Sequence, residues 1–148
     1  MSLHILRRFV GATSLATLAA TALFLGSFCS AAYADQIKVS LSGDMEVPPV
    51  KTAAMGSGSI MINADMSVSG SVTTTGIEGT MAHIHQAAVG MNGPVIIPLV
   101  KSGDGSTWSV PAQAKLSEAQ YAAYKAGELY INVHSAANKG GEIRGQLK

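Results

Sequence analysis

The chain has 148 residues, of which 47% are hydrophobic and only 13% charged, with a formal net charge of +1 at neutral pH. There is no run of basic residues, which argues against a nucleic-acid partner, and no lysine-rich amphipathic stretch marks a membrane-surface helix. With Cys29 as the single cysteine, an internal disulfide is excluded.

Residues 1–34 read as a secretory signal peptide. Arg7 and Arg8 give a positive start, Val10 to Leu25 form an apolar stretch, and Ala32-Tyr33-Ala34 supplies a small-residue cleavage signature before Asp35. The apolar stretch is shorter than the roughly 20 residues a spanning helix needs. Phe28 before Cys29 fits a lipoprotein signal poorly, and the surroundings of Arg7-Arg8 match twin-arginine export poorly. The expectation is ordinary export, a periplasmic or secreted location, and no membrane insertion once the signal is removed. The mature domain is then residues 35–148, with eight basic residues, nine acidic ones, no cysteine and no phenylalanine. Such a domain must hold together by aliphatic packing, or by packing plus a bound ion.

Period-two alternation dominates the chain beyond Asp35. Ile37, Val39 and Leu41 alternate with Lys38, Ser40 and Ser42, as in a half-buried strand. Gly43 to Met55, with Pro48-Pro49 inside it, predicts a loop or irregular edge. Strands are expected over Ser57 to Asp65 and around Val68 to Val72, joined by a turn at Asp65-Met66. A loop over Gly76 to Thr80 leads into Met81-Ala-His-Ile-His85. Gly90 to Pro94 is a dense turn signal, and Val95 to Val100 is a strand in which Pro98 implies an edge or bulge. Ser102 to Ser106 turns the chain into a strand at Thr107 to Val110. Ser117 and Gln120 form a capping box for one helix, which Gly127 stops. Glu128 to Ser135 and Glu142 to Leu147 close the chain as a strand pair around Asn138 to Gly141. Seven or eight short strands and one helix near Ser117 to Ala126 predict an all-β, antiparallel sandwich or flattened barrel, with Ile84, Val133, Ile143 and Leu147 buried.

Only three histidines lie beyond the signal, where His4 is the fourth. His83 and His85 are two apart on a strand and share a face, roughly 6–7 Å apart at Cα. His134 ends the strand-like run Tyr130-Ile-Asn-Val-His134. Three imidazoles without a thiolate suit copper, zinc or nickel, and intrinsic affinity favours copper, with zinc as the alternative. The competing reading is a polar network bonded to backbone carbonyls that braces two strands. Met81, on the face of His83 and His85, is either a weak thioether donor or a flexible core filler. Asn132 shares a face with His134 and suits either orienting an imidazole or completing strand hydrogen bonds. Glu142 and Arg144 share a face and read as a cross-strand ion pair or a clamp on the preceding loop; the functional reading has Arg144 attracting a small anion towards the histidine site. Nothing in the spacing places the carboxylate of Glu46 at the histidines. Gly90 to Pro94 lacks the lysine and helix start of a phosphate loop, and no nucleophile elbow is present.

Several segments together resemble the CHRD domain, named for its repeats in chordin and found alone in exported bacterial proteins. They are Leu41-Ser-Gly-Asp-Met-Glu-Val-Pro-Pro-Val50, Ala82-His-Ile-His85, Gly90-Met-Asn-Gly-Pro-Val95, Gly127-Glu-Leu-Tyr-Ile-Asn-Val-His134 and Gly141-Glu-Ile-Arg-Gly-Gln146. The resemblance runs from about Ile37 to Leu147. Ala87 stands where the family often has Gly, and Lys139 where Pro is common; both are turn positions. The resemblance implies an immunoglobulin-like sandwich likened to copper/zinc superoxide dismutase, with His83 and His85 matching a His-x-His copper pair and His134 another ligand. The remaining dismutase features, a bridging fourth histidine, a cysteine pair and a zinc loop, are missing. Three functional classes are open: a metal-binding protein, a structural or protein-interaction module, and a dismutase-like copper oxidoreductase.

Overall fold

The computed structural model describes residues 35–148; the expected signal peptide over 1–34, with His4 and Cys29, lies outside the described residues. Alternation builds the sheet as expected. In β1 (Asp35–Ser42) Ile37, Val39 and Leu41 point inward, while Gln36, Lys38 and Ser40 face solvent. It pairs antiparallel with β2 (Met55–Ile62), and β2 with β3 (Val68–Thr75), through the turn at Asp65-Met66. Met66 takes φ +68° there, and Asp65 accepts a hydrogen bond from the Ser67 N–H at 3.0 Å, an Asx turn. The stretch between β1 and β2 opens with a 3-10 turn (Gly43–Met45) and continues as irregular backbone through Pro48-Pro49.

The rest of the sheet is β4 (Gly79–Gln86), β5 (Val95–Pro98), β6 (Val100–Lys101), β7 (Thr107–Ser109), β8 (Leu129–Ser135) and β9 (Ile143–Leu147). The nine strands form one sheet in the order β5-β4-β8-β9-β1-β2-β3-β7-β6, antiparallel throughout. The single strand expected over Val95 to Val100 is a correction: it is two. Pro98 cannot donate to a ladder, so β5 pairs only with β4 and forms an edge. One residue later the chain joins β7 at the opposite edge. Leu99 bridges the two edges, its N–H donating to the Ala82 carbonyl at 2.9 Å. The sheet is thereby rolled into a nearly closed, sandwich-like barrel, with the short strands β5 and β6 at its edges.

Aliphatic side chains fill the interior. Ile60, Val72, Leu129, Ile131, Val133, Ile143 and Leu147 are fully buried, Ile84 is nearly so, and Trp108 is the largest buried side chain. Burying each such aliphatic group contributes about 1.5–3 kcal/mol. The one α-helix among the described residues, α1 (Glu118–Lys125), has the expected capping box: the Gln120 N–H donates to Ser117 Oγ, and the Ser117 N–H to Gln120 Oε1. Ala123 and Tyr124 join the core from it, and Gly127, at φ +74°, ends it. No helix among the described residues is long and apolar enough to cross a membrane.

Candidate metal centre

Every residue of β8 and β9 is buried on both faces. The inner face is aliphatic, but the outer face carries Tyr130, Asn132 and His134 from β8 and Arg144 and Gln146 from β9. Three loops cover that polar face: residues 43–54, 87–94 and 136–141. Register extends it onto β4, where Met81 lies opposite His134, His83 opposite Asn132, and His85 opposite Tyr130. Residues opposite one another in an antiparallel pair project to the same side. Strand periodicity and register therefore bring His83, His85 and His134 together, as the sequence predicts.

Their candidate ligand nitrogens all lie within 4.8 Å of one another. His83 Nδ1 is 3.1 Å from His134 Nε2, and the His83 ring centroid lies 4.9 Å from that of His134 and 5.5 Å from that of His85. A common ion bound at 2.0–2.1 Å needs nitrogens roughly 3.3–3.6 Å apart in tetrahedral or trigonal geometry. The cluster thus reaches coordination spacing by small side-chain rotations. His85 and His134 are buried, and His83 is half-buried, so the cluster opens outward on the His83 side.

Hydrogen bonds fix which nitrogens are available. His85 Nδ1 is 2.9 Å from the Gly93 carbonyl, and His134 Nδ1 is 2.8 Å from the Lys139 carbonyl. A carbonyl only accepts, so both Nδ1 atoms carry the proton, which leaves Nε2 of each ring as the candidate ligand atom. A backbone carbonyl behind a ring is the usual way a ligating histidine is oriented. His85 Nε2 is fully buried and has no hydrogen-bond partner. Burial depresses the His83 pKa below the ordinary histidine value, helped by the charges of His134 and His85. Burial also depresses that of His85, against the opposing Gly93 hydrogen bond. Both rings are neutral near pH 7, the state that binds a cation.

Around the rings the structure adds residues that strand periodicity alone does not single out. Tyr130 stacks on His85 at 4.7 Å between centroids and 8° between planes, and the Arg144 guanidinium lies 3.4 Å from its other face. Arg144, only 1% exposed, donates to the Met91 carbonyl at 2.8 Å and to Asn92 Oδ1 at 3.3 Å. Arg144 clamps the 87–94 loop rather than the loop preceding β9 that the sequence suggested, and no ion pair joins it to Glu142. Glu142 instead accepts hydrogen bonds from Thr52 and Ser135. At 1% exposed, Arg144 offers no surface for direct contact with an anion from solvent. Glu46 is buried beside Asn132, and desolvation raises its pKa despite the nearby charge of Arg144. Asn132 lies beside Glu46 and His85, and hydrogen bonding to its amide biases both toward their charged forms. At Gly141, φ +131°, an added Cβ would collide with Glu46 Oε1 and Asn132 Nδ2, so only glycine lets the loop close over them. Tyr130 was legible in principle: it shares the period-two face of Asn132 and His134. Glu46 had no such signal, because an irregular loop carries it.

The chain matches the CHRD domain family over residues 37–147. It belongs to that family. No curated protein and no solved structure matches the chain. Both CHRD departures fall on loops that touch this polar face. The Ala87 carbonyl accepts from Gln146 Nε2 at 3.0 Å, and the Lys139 carbonyl holds His134. Both contacts are made by backbone atoms of these loops.

Proposed function

We propose that this CHRD domain is an exported metal-binding protein that holds a copper ion through His83, His85 and His134, with zinc as the alternative ion. One observation carries the reading: three histidine side chains, two of them buried, offer ligand nitrogens that all lie within 4.8 Å of one another. An ion bound between them would take the lone pair of buried His85 Nε2. Three neutral nitrogen donors suit copper first by intrinsic affinity, and export of residues 35–148 would put the site in an oxidising compartment.

The competing reading, a structural or protein-interaction module, draws on the carbonyl bonds of His85 and His134 and on the His83–His134 contact. Metal content decides between them. Protein purified from its native compartment is expected to carry close to one copper or zinc ion per chain and to begin at Asp35. Metal-free protein that takes up no added ion would leave the bracing role, and a lipid on Cys29 would overturn the soluble form. Superoxide consumption by the loaded protein would move the assignment from carrier to oxidoreductase.

A further inference from the structure

Met81 is 50% exposed, which removes the core-filling role that a methionine on a strand ordinarily has. It sits directly opposite His134 in the β4–β8 register and two residues before His83 on the same face. Side chains so placed are the nearest neighbours a sheet offers, with Cβ atoms of an opposite pair about 4.5–5.5 Å apart. Exposure rises from His85 and His134, each 7% exposed, through half-buried His83 to Met81. The thioether therefore stands at the side where the cluster opens to solvent. Among the described residues no acidic group joins the three-histidine cluster. Glu142 is tied to Ser135 and Thr52, and Glu46 is buried beside Asn132.

Resting on the metal-binding reading of the three histidines, we infer that Met81 is a fourth donor and that it makes the site selective for Cu(I). Three neutral imidazoles and one neutral thioether carry no negative charge to favour a dication over a monocation. Thioether sulfur is a soft ligand that selects Cu(I), and Zn(II) gains little from it. A methionine with three rotatable bonds also reaches the ion without moving the strand.

The test is an anaerobic titration of the full chain against a chromogenic Cu(I) chelator, with a parallel Zn(II) competition, for wild type, Met81→Leu and Met55→Leu. Met55 is a comparably exposed methionine on β2 and controls for nonspecific thioether binding. Met81→Leu is expected to lower Cu(I) affinity by about tenfold or more, the scale on which one supporting group matters to a metal site. Its Zn(II) affinity should stay within about twofold of wild type, since the nitrogen ligands are intact. X-ray absorption of the Cu(I) form should show a sulfur neighbour that Met81→Leu loses and Met55→Leu keeps. Unchanged Cu(I) affinity in Met81→Leu, or equal losses for Cu(I) and Zn(II), would overturn the inference while leaving the three-histidine site standing. Wild-type protein that binds neither ion would overturn the site itself.

Discussion

Arg144→Met is expected to cost about 3–5 kcal/mol of stability and to weaken the histidine site, although Arg144 makes no hydrogen bond to any of the three rings. The guanidinium is 1% exposed, lies 3.4 Å from the Tyr130 ring centroid and donates to Met91 and Asn92. Hydrogen bonds from a charged donor contribute about 1.5–3 kcal/mol each, and a desolvated cation–π contact about 2. Methionine fills similar space but leaves those acceptors unpaired and removes the positive charge that partly offsets the burial of Glu46. Relief of the guanidinium's own desolvation returns several kcal/mol, so the net is the roughly 3–5 typical of breaking a buried charged contact. For a domain of this size that is about 10–20 °C in Tm. Urea unfolding followed by the fluorescence of Trp108, the only tryptophan, measures it. Arg144→Lys should recover less than half, because an ammonium neither stacks nor forks. Release of the 87–94 loop should also free the Gly93 carbonyl from His85 and lower metal affinity by about 10–100-fold. If Arg144→Met unfolds within about 1 kcal/mol of wild type, the clamp does not support the loop.

Gly79→Ala should destabilise by about 1–3 kcal/mol in the same assay, since its Cβ would fall 2.6 Å from Trp108 Cζ2 and 3.0 Å from Val133 Cγ1; unaltered urea midpoints would contradict this. His83 and His85 titrate below their unfolded value of about 6.5, so the unfolded chain binds more protons. Their contribution is complete above that pH and is lost as pH falls through the folded values. Urea melts of metal-free protein from about pH 8 to 5 should show this loss, and His83→Gln with His85→Gln should flatten it. Glu46 has the opposite sign: its folded pKa is raised, so its contribution is present at low pH and lost as pH rises through that value. Glu46→Gln should therefore match wild type near pH 4 and exceed it at pH 7 in the same melts; equal curves at both would refute a costly buried carboxylate.

The alternating strands were readable because one face of each is aliphatic and the other polar, as with Ile37, Val39 and Leu41 in β1. The histidine cluster was readable for the same reason, since periodicity alone puts His83 and His85 on one side. What escaped is what depends on closure and on loops. Leu99 divides one apolar run between two edges, which no local pattern reveals. Gln146 looks solvent-facing by period, but the covering loops bury it. Glu46 reaches the site from an irregular segment with no period at all. Met81 looked like core from its chemistry, yet the polar face it occupies leaves it at the rim.

Three-histidine coordination is tested most directly by titrating metal-free residues 35–148 with Cu(II) and with Zn(II), for wild type and for the triple variant His83→Ala, His85→Ala, His134→Ala. Such a site should hold one ion tightly per wild-type chain, release it as pH falls through the lowered His83 and His85 values, and lose it in the triple variant. Equal uptake by the triple variant, or none by a folded wild type, would contradict it.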